Sequence, residues 1–183
     1  MNKQTQKRNA AFKAATKSER AVMVARDALK MLDKGKTKGS EGNWVNLTSV
    51  LGDVYRLDQK ERNRQICDVS DLTSFVGCKV CALGSLMLSE IRHTNSLTVG
   101  GAGNQVYYIA EKDRLDAMFS RHQQMLMELA FEGGGGNFSV DDVSETESEK
   151  VLKFYRSYKT ENGRLRAILK NVIKNGGEFV LPS

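Results

Sequence analysis

Two of the three cysteines in this 183-residue chain fall in one short run, Cys78-Lys79-Val80-Cys81, with Cys67 upstream and His93 downstream. Cys67, Cys78, Cys81 and His93 are all zinc-ligand types, and zinc is the cofactor this spacing allows. A structural zinc site, however, is normally built from two close pairs of ligands, and here Cys67 and His93 each stand alone. The simpler expectation is therefore buried, reduced thiols and no cofactor. A redox Cys-x-x-Cys needs strands before it and an exposed, positive helix start, and no such alternation surrounds the motif. A third chemistry is nucleophilic: Cys81 at the first turn of a helix, with a histidine as base. On a continuous helix His93 would lie about 18 Å from Cys81, which leaves His122 as the base to consider.

The other chemistry-bearing clusters are less specific. Gly100-Gly101-Ala102-Gly103 lacks the third glycine and the following helix of a phosphate loop and reads as a hairpin turn between Leu97-Thr98-Val99 and Val106-Tyr107-Tyr108-Ile109. The carboxylates Asp141, Asp142, Glu145, Glu147 and Glu149 do not follow the order of a calcium loop and suit the start of a helix.

The elements that would position these residues are mostly helical. Gly77 to Ile91 is the least polar stretch, and Leu83, Leu86, Met87 and Ile91 recur at spacings of three and four, predicting a buried central helix. Ser18 is the expected N-cap of an amphipathic helix carrying Val22, Ala25, Leu29 and Leu32 and ending at Gly35. Lys36 to Asn43 reads as a loop and Trp44 to Leu47 as a short strand, while Thr48 to Gln65 suits one helix or two. Ser120 and Gln123 have capping-box spacing ahead of a helix that stops at Gly133. A further helix presents Val151, Leu152, Phe154, Tyr155 and Tyr158. The best-patterned helix carries Leu165, Ile168, Leu169, Val172 and Ile173 and stops at Gly176-Gly177, with Glu178 to Leu181 as a short edge strand. The expected fold is mainly α, a single helix-rich domain over residues 18–183 with a small hairpin or sheet as a minor α+β component. A basic flexible arm precedes it over 1–17.

Composition supports that reading and narrows the function. Hydrophobic residues make up 40% of the chain, enough for a core, and the one proline is Pro182. Residues 1 to 40 hold eleven Lys/Arg against three Asp/Glu, a surplus of eight that exceeds the +6 of the whole chain. Lys3, Lys7, Arg8, Lys13 and Lys17 are thus the candidate nucleic-acid contacts, acting through counterion release. With Phe12 alone among them, no stacking platform for single strands is implied. No apolar run is long enough for a membrane span, and the polar start suggests the cytosol.

Several blocks together resemble a group of uncharacterised bacteriophage proteins that share a Cys-x-x-Cys-Ala-x-Gly-Ala/Ser core. They are Cys78 to Leu86, the early helix Val22 to Leu29, Phe119-Ser120-x-x-Gln123 followed by Glu128 to Glu132, and the ending from Arg164 to Phe179. Ser85 stands where alanine is expected. The resemblance implies a phage origin and action in the bacterial host cytoplasm, and it transfers no catalytic residue. The expected function is a non-enzymatic accessory protein, of the host-takeover or anti-defence type, that binds a host or phage macromolecule. Nucleic acid through the basic arm is a variant, as is a small nucleotide held by the glycine-rich loops. The alternatives are a cysteine-dependent enzyme using Cys81 and a zinc-stabilised nucleic-acid module.

Overall fold

The computed structural model describes residues 3–42, 45–46, 78–94, 114–136 and 138–183. Along these the order is α1 (Lys3–Ala14), α2 (Lys17–Asp33), β1 (Thr37–Gly39), β2 (Val45–Asn46), β3 (Cys78–Val80), α3 (Ala82–Thr94), α4 (Arg121–Glu132), α5 (Glu145–Ser157) and α6 (Glu161–Lys174). A 3-10 turn at Val140–Asp142 precedes α5. The protein is mainly helical with a small sheet, as the apolar periodicity requires. β3 lies at the centre of that sheet, parallel to β1 and antiparallel to β2, with Thr37 opposite Cys78 and Val45 opposite Val80. The expected helix over Thr48 to Gln65 and the hairpin around Gly100 lie outside the described residues, as does Cys67.

α3 is the axis of the core. Every residue from Ala82 to Ile91 is buried, and α1, α2, α4 and β3 all pack on it. A helix covered on all sides needs small residues where neighbours come close, and Ala82, Gly84, Ser85 and Ser89 provide them beside Leu83, Leu86, Met87 and Ile91. Truncating one of those large side chains to alanine would cost about 2–5 kcal/mol. The central helix is shorter at its start than its apolar run suggests. Cys78, Lys79 and Val80 alternate buried, exposed, buried as a strand does, so the Cys-x-x-Cys spans the strand-to-helix junction.

Local chemistry explains where the other helices begin. α2 starts one residue before Ser18: Thr16 is its cap, its hydroxyl accepting from Glu19 N while the Glu19 carboxylate accepts from Thr16 N at 2.8 Å. Ser144 caps α5 with the same reciprocal pair, to Glu147, while Ser120 and Thr160 cap α4 and α6 by accepting from Gln123 N and Gly163 N alone. The segment expected as a loop after Gly35 contains β1, and its backbone runs flush against the start of α6. A Cβ on Gly39 would come within 2.8 Å of the Glu161 carbonyl carbon, and Gly39 N donates to Asn162 Oδ1 at 2.7 Å.

Two expectations at the ends of the chain are corrected. Residues 3–14 are not a flexible arm but a helix packed on α3, because Phe12 is buried against the His93 ring, with centroids 5.0 Å apart, and Asn9 Nδ2 donates to Thr94 O. Residues 178–181 form no edge strand. The chain reverses at Gly177, where φ is +106° and a Cβ would meet Ser18 O at 2.7 Å, and the tail then runs back extended along α6, held by side-chain amides.

Candidate functional site

The polar residues of the interior gather at the two ends of α3. At its N-terminal end, Cys81 is enclosed, its Sγ accepting from Gly84 N at 3.3 Å. Burial pushes its thiol up to about 12, with the carboxylates of Glu128 and Glu132 adding to the effect, and burial alone pushes Cys78 up to about 11. Both cysteines are free thiols. At these values they are protonated near neutral pH, and only the thiolate is a nucleophile. Cys81 lies by the Glu128–Glu132 end of α4, whereas His122 occupies the first turn of that helix, roughly 9 to 15 Å further along the axis. His122 is half exposed and its Nε2 is 3.1 Å from Glu147 Oε1 at the start of α5. The sequence-predicted nucleophile and base are thus not brought together.

The metal set is likewise divided. His93 sits in the last turn of α3 and Cys81 just before its first, about 18 Å apart at 1.5 Å per residue, so one ion cannot take both. Among the described residues no group of three or more His, Cys, Asp or Glu is arranged to hold a metal ion.

What sequence reasoning missed is a carboxylate and arginine network beside Cys81. Arg164, buried in the first turn of α6, donates through Nε to Phe131 O at 3.0 Å, through Nη1 to Tyr158 O at 3.1 Å, and through Nη2 to Glu41 Oε1. The Tyr155 hydroxyl donates to the same Glu41 oxygen at 3.1 Å, and its ring lies under the guanidinium at 4.3 Å. Glu41 N donates to Glu161 Oε1 at 2.9 Å and Gly42 N to Glu132 Oε2 at 2.8 Å. The turn after β1 is thereby tied to α4, α5 and α6 at once. Glu132 is pushed up to about 7, chiefly by burial and then by the fields of Glu128, Glu41 and Glu161, against which the Gly42 hydrogen bond works. The usable signal was Glu128 and Glu132, four residues apart on a helix whose other residues at that level, Leu129, Ala130 and Phe131, are core.

At the C-terminal end of α3 the chemistry is basic. Arg92 Nη1 and the Ser89 hydroxyl both donate to Asp27 Oδ2, at 2.9 and 3.0 Å. Arg114 Nη1 donates to Glu90 Oε2 at 3.0 Å, and Arg8 Nη2 donates to Arg92 O. Burial holds His93 below the usual imidazole range, Arg8 and Arg92 adding to the effect while Asp27 opposes it. A hollow of about 250 Å³ beside this cluster is lined by Phe12, Arg20, Glu90, Arg114, Ala117 and Met118. The cations there point to protein partners: Arg20 donates to Ala15 O and Lys13 O, and Arg114 to Glu90.

Of the candidate nucleic-acid contacts, Arg8 is turned inward and half-buried, while Lys3, Lys7, Lys13 and Lys17 are exposed. Lys3 and Lys7 share the face of α1 opposite Phe12, and α1 holds no acidic residue. No family model, curated protein or solved structure matches the chain. No described helix is long and apolar enough to cross a membrane.

Proposed function

We propose that this is a non-catalytic binding protein whose exposed lysine face on α1 docks a polyanionic macromolecule, a nucleic-acid backbone being the ligand class. The observation that carries the reading is that α1 is pinned while its lysines are not. Phe12, Arg8 and Asn9 fasten one side of the helix to α3, leaving Lys3, Lys7 and Lys13 displayed on a fixed frame with Lys17 at the next helix start. A cationic face of this kind gains affinity by releasing counterions, with little demand on sequence. The phage origin, the bacterial cytoplasm and the host-takeover role that the sequence resemblance implies belong to the same proposal. Protonated, enclosed thiols support a packing role for Cys78 and Cys81 over the catalytic alternative.

Fluorescence anisotropy with double- and single-stranded DNA and RNA across salt tests it. Binding should weaken with salt, and Lys3→Gln with Lys7→Gln should lower the slope of log affinity against log salt by about two. Absence of binding, or binding indifferent to both salt and those substitutions, would defeat the reading.

A further inference from the structure

The last residues of the chain are gripped in an unusual way for a structural tail. Residues 178–181 run extended, with Phe179 buried and its neighbours Glu178 and Val180 exposed, the alternation of a β-strand. Among the described residues no strand pairs with them. Gln123 of α4 accepts from Phe179 N at 2.6 Å and donates to Phe179 O at 3.1 Å. Asn171 of α6 accepts from Val180 N at 2.8 Å and donates to Val180 O at 2.7 Å. Each amide thus supplies the donor and acceptor pair that a neighbouring strand would supply at one residue. Asn171 is itself oriented by Asn175, whose Nδ2 donates to Asn171 Oδ1 at 2.9 Å. Between the two amides lies one side-chain pocket, where the Phe179 ring meets Phe154 of α5 edge to face at 5.6 Å.

Two backbone-reading amides around a single aromatic pocket are the parts of a peptide groove: main-chain hydrogen bonds hold any extended segment, and the pocket selects one side chain. We propose that the channel between α4 and α6 is a binding site for an extended peptide bearing an aromatic residue followed by an aliphatic one, and that residues 178–181 occupy it as an intramolecular ligand. The partner is a segment of another protein with that chemistry, which displaces the tail. Gly176 and Gly177, both at positive φ, form the turn that joins this segment to α6. This site is separate from the lysine face of α1.

The probe is a fluorescein-labelled synthetic peptide of residues 176–183, added to full-length chain carrying Phe179→Ala, which empties the pocket. A cooperative melt shows that the receptor is folded. Saturable binding is expected, with at least a tenfold loss when the phenylalanine of the probe is replaced by alanine, and a similar loss when the receptor also carries Gln123→Ala or Asn171→Ala. A folded receptor that takes up no probe, or binds it regardless of the phenylalanine, would overturn the proposal. The otherwise native chain with a single fluorine on the Phe179 ring gives a second reading, independent of how Phe179→Ala folds. Unlabelled peptide in the millimolar range that a short tether's effective concentration demands should move that fluorine resonance to its solvent position, and the alanine peptide should not. A resonance that never moves overturns the proposal. So does a dimer held by exchanged tails and abolished by Phe179→Ala, since the groove would then serve a second copy of this chain.

Discussion

Among the described residues, four carboxylates, Glu41, Glu128, Glu132 and Glu161, accompany the Arg164 guanidinium at the Cys81 end of α3, while the guanidiniums of Arg8, Arg92 and Arg114 accompany Asp27 and Glu90 at the His93 end. The arrangement follows the helix dipole, with negative charge near its start and positive near its finish. The two ends fasten different things. The acidic end knots the turn after β1 to three helices, and the basic end docks α1 and so holds the lysine face in place. At each end burial, with neighbouring like charges adding to it, pushes one group toward its neutral form: Glu132 upward, and His93 downward against the pull of Asp27.

The largest effect should come from cutting the buried guanidinium of Arg164 at the acidic end. Arg164→Met removes donors from two backbone carbonyls and from Glu41, and leaves the carboxylates without a buried counter-charge. The expected loss is about 3–5 kcal/mol, read from the urea midpoint at constant slope. Asp27→Asn at the basic end keeps an acceptor for Ser89 and Arg92 and should cost about 1–2 kcal/mol. Equal costs would mean that the two ends are energetically alike, and the comparison would fail.

A pH series separates the ends without deleting a contact. The folded pKa of Glu132, about 7, lies above the ordinary 4.5 of an unfolded chain. Between those values the folded state holds a proton that the unfolded state has released, so stability is greatest below about pH 4.5, falls as pH rises, and levels off above about pH 7. His93 has the opposite sense: its folded pKa is lowered, so its contribution is lost as pH falls below the usual imidazole value. Glu132→Gln should remove roughly one proton of pH dependence between pH 4.5 and 7. A variant profile identical to wild type across that window would show that Glu132 is not held neutral.

Much of this framework could be read from the residues. The spacing of Leu165, Ile168, Leu169, Val172 and Ile173 located α6, and Ser120 located the start of α4, because period and capping act over a few neighbours. The strand Cys78 to Val80 was hidden at the start of an apolar run, since three residues are too few to tell the period of a strand from that of a helix. The acidic network was hidden for another reason. Glu41 and Arg164 are 123 positions apart, and only tertiary packing brings Tyr155, Glu132 and Glu161 around them. The docking of α1 was concealed by its polar composition, in which Phe12 is the one large apolar residue to carry the contact.

The finest test uses two serines one helical turn apart on α3, one toward each end. Ser85 Oγ donates to Ala82 O at 2.8 Å, a carbonyl of its own helix, so its hydroxyl satisfies itself locally and supports nothing else. Ser89 Oγ donates to Asp27 Oδ2 at 3.0 Å and joins α3 to α2 beside Arg92. Both side chains are buried and both substitutions to alanine remove the same atom, so the difference between them isolates the cross-helix bond. Ser89→Ala should cost about 1 kcal/mol, because the charged acceptor loses one of its two donors in a partly buried place. Ser85→Ala should lie within about 0.5 kcal/mol of wild type, since alanine is the better helix former and no acceptor on another element is left behind. Equal losses in matched chemical-denaturation curves would show that both serines act only through packing.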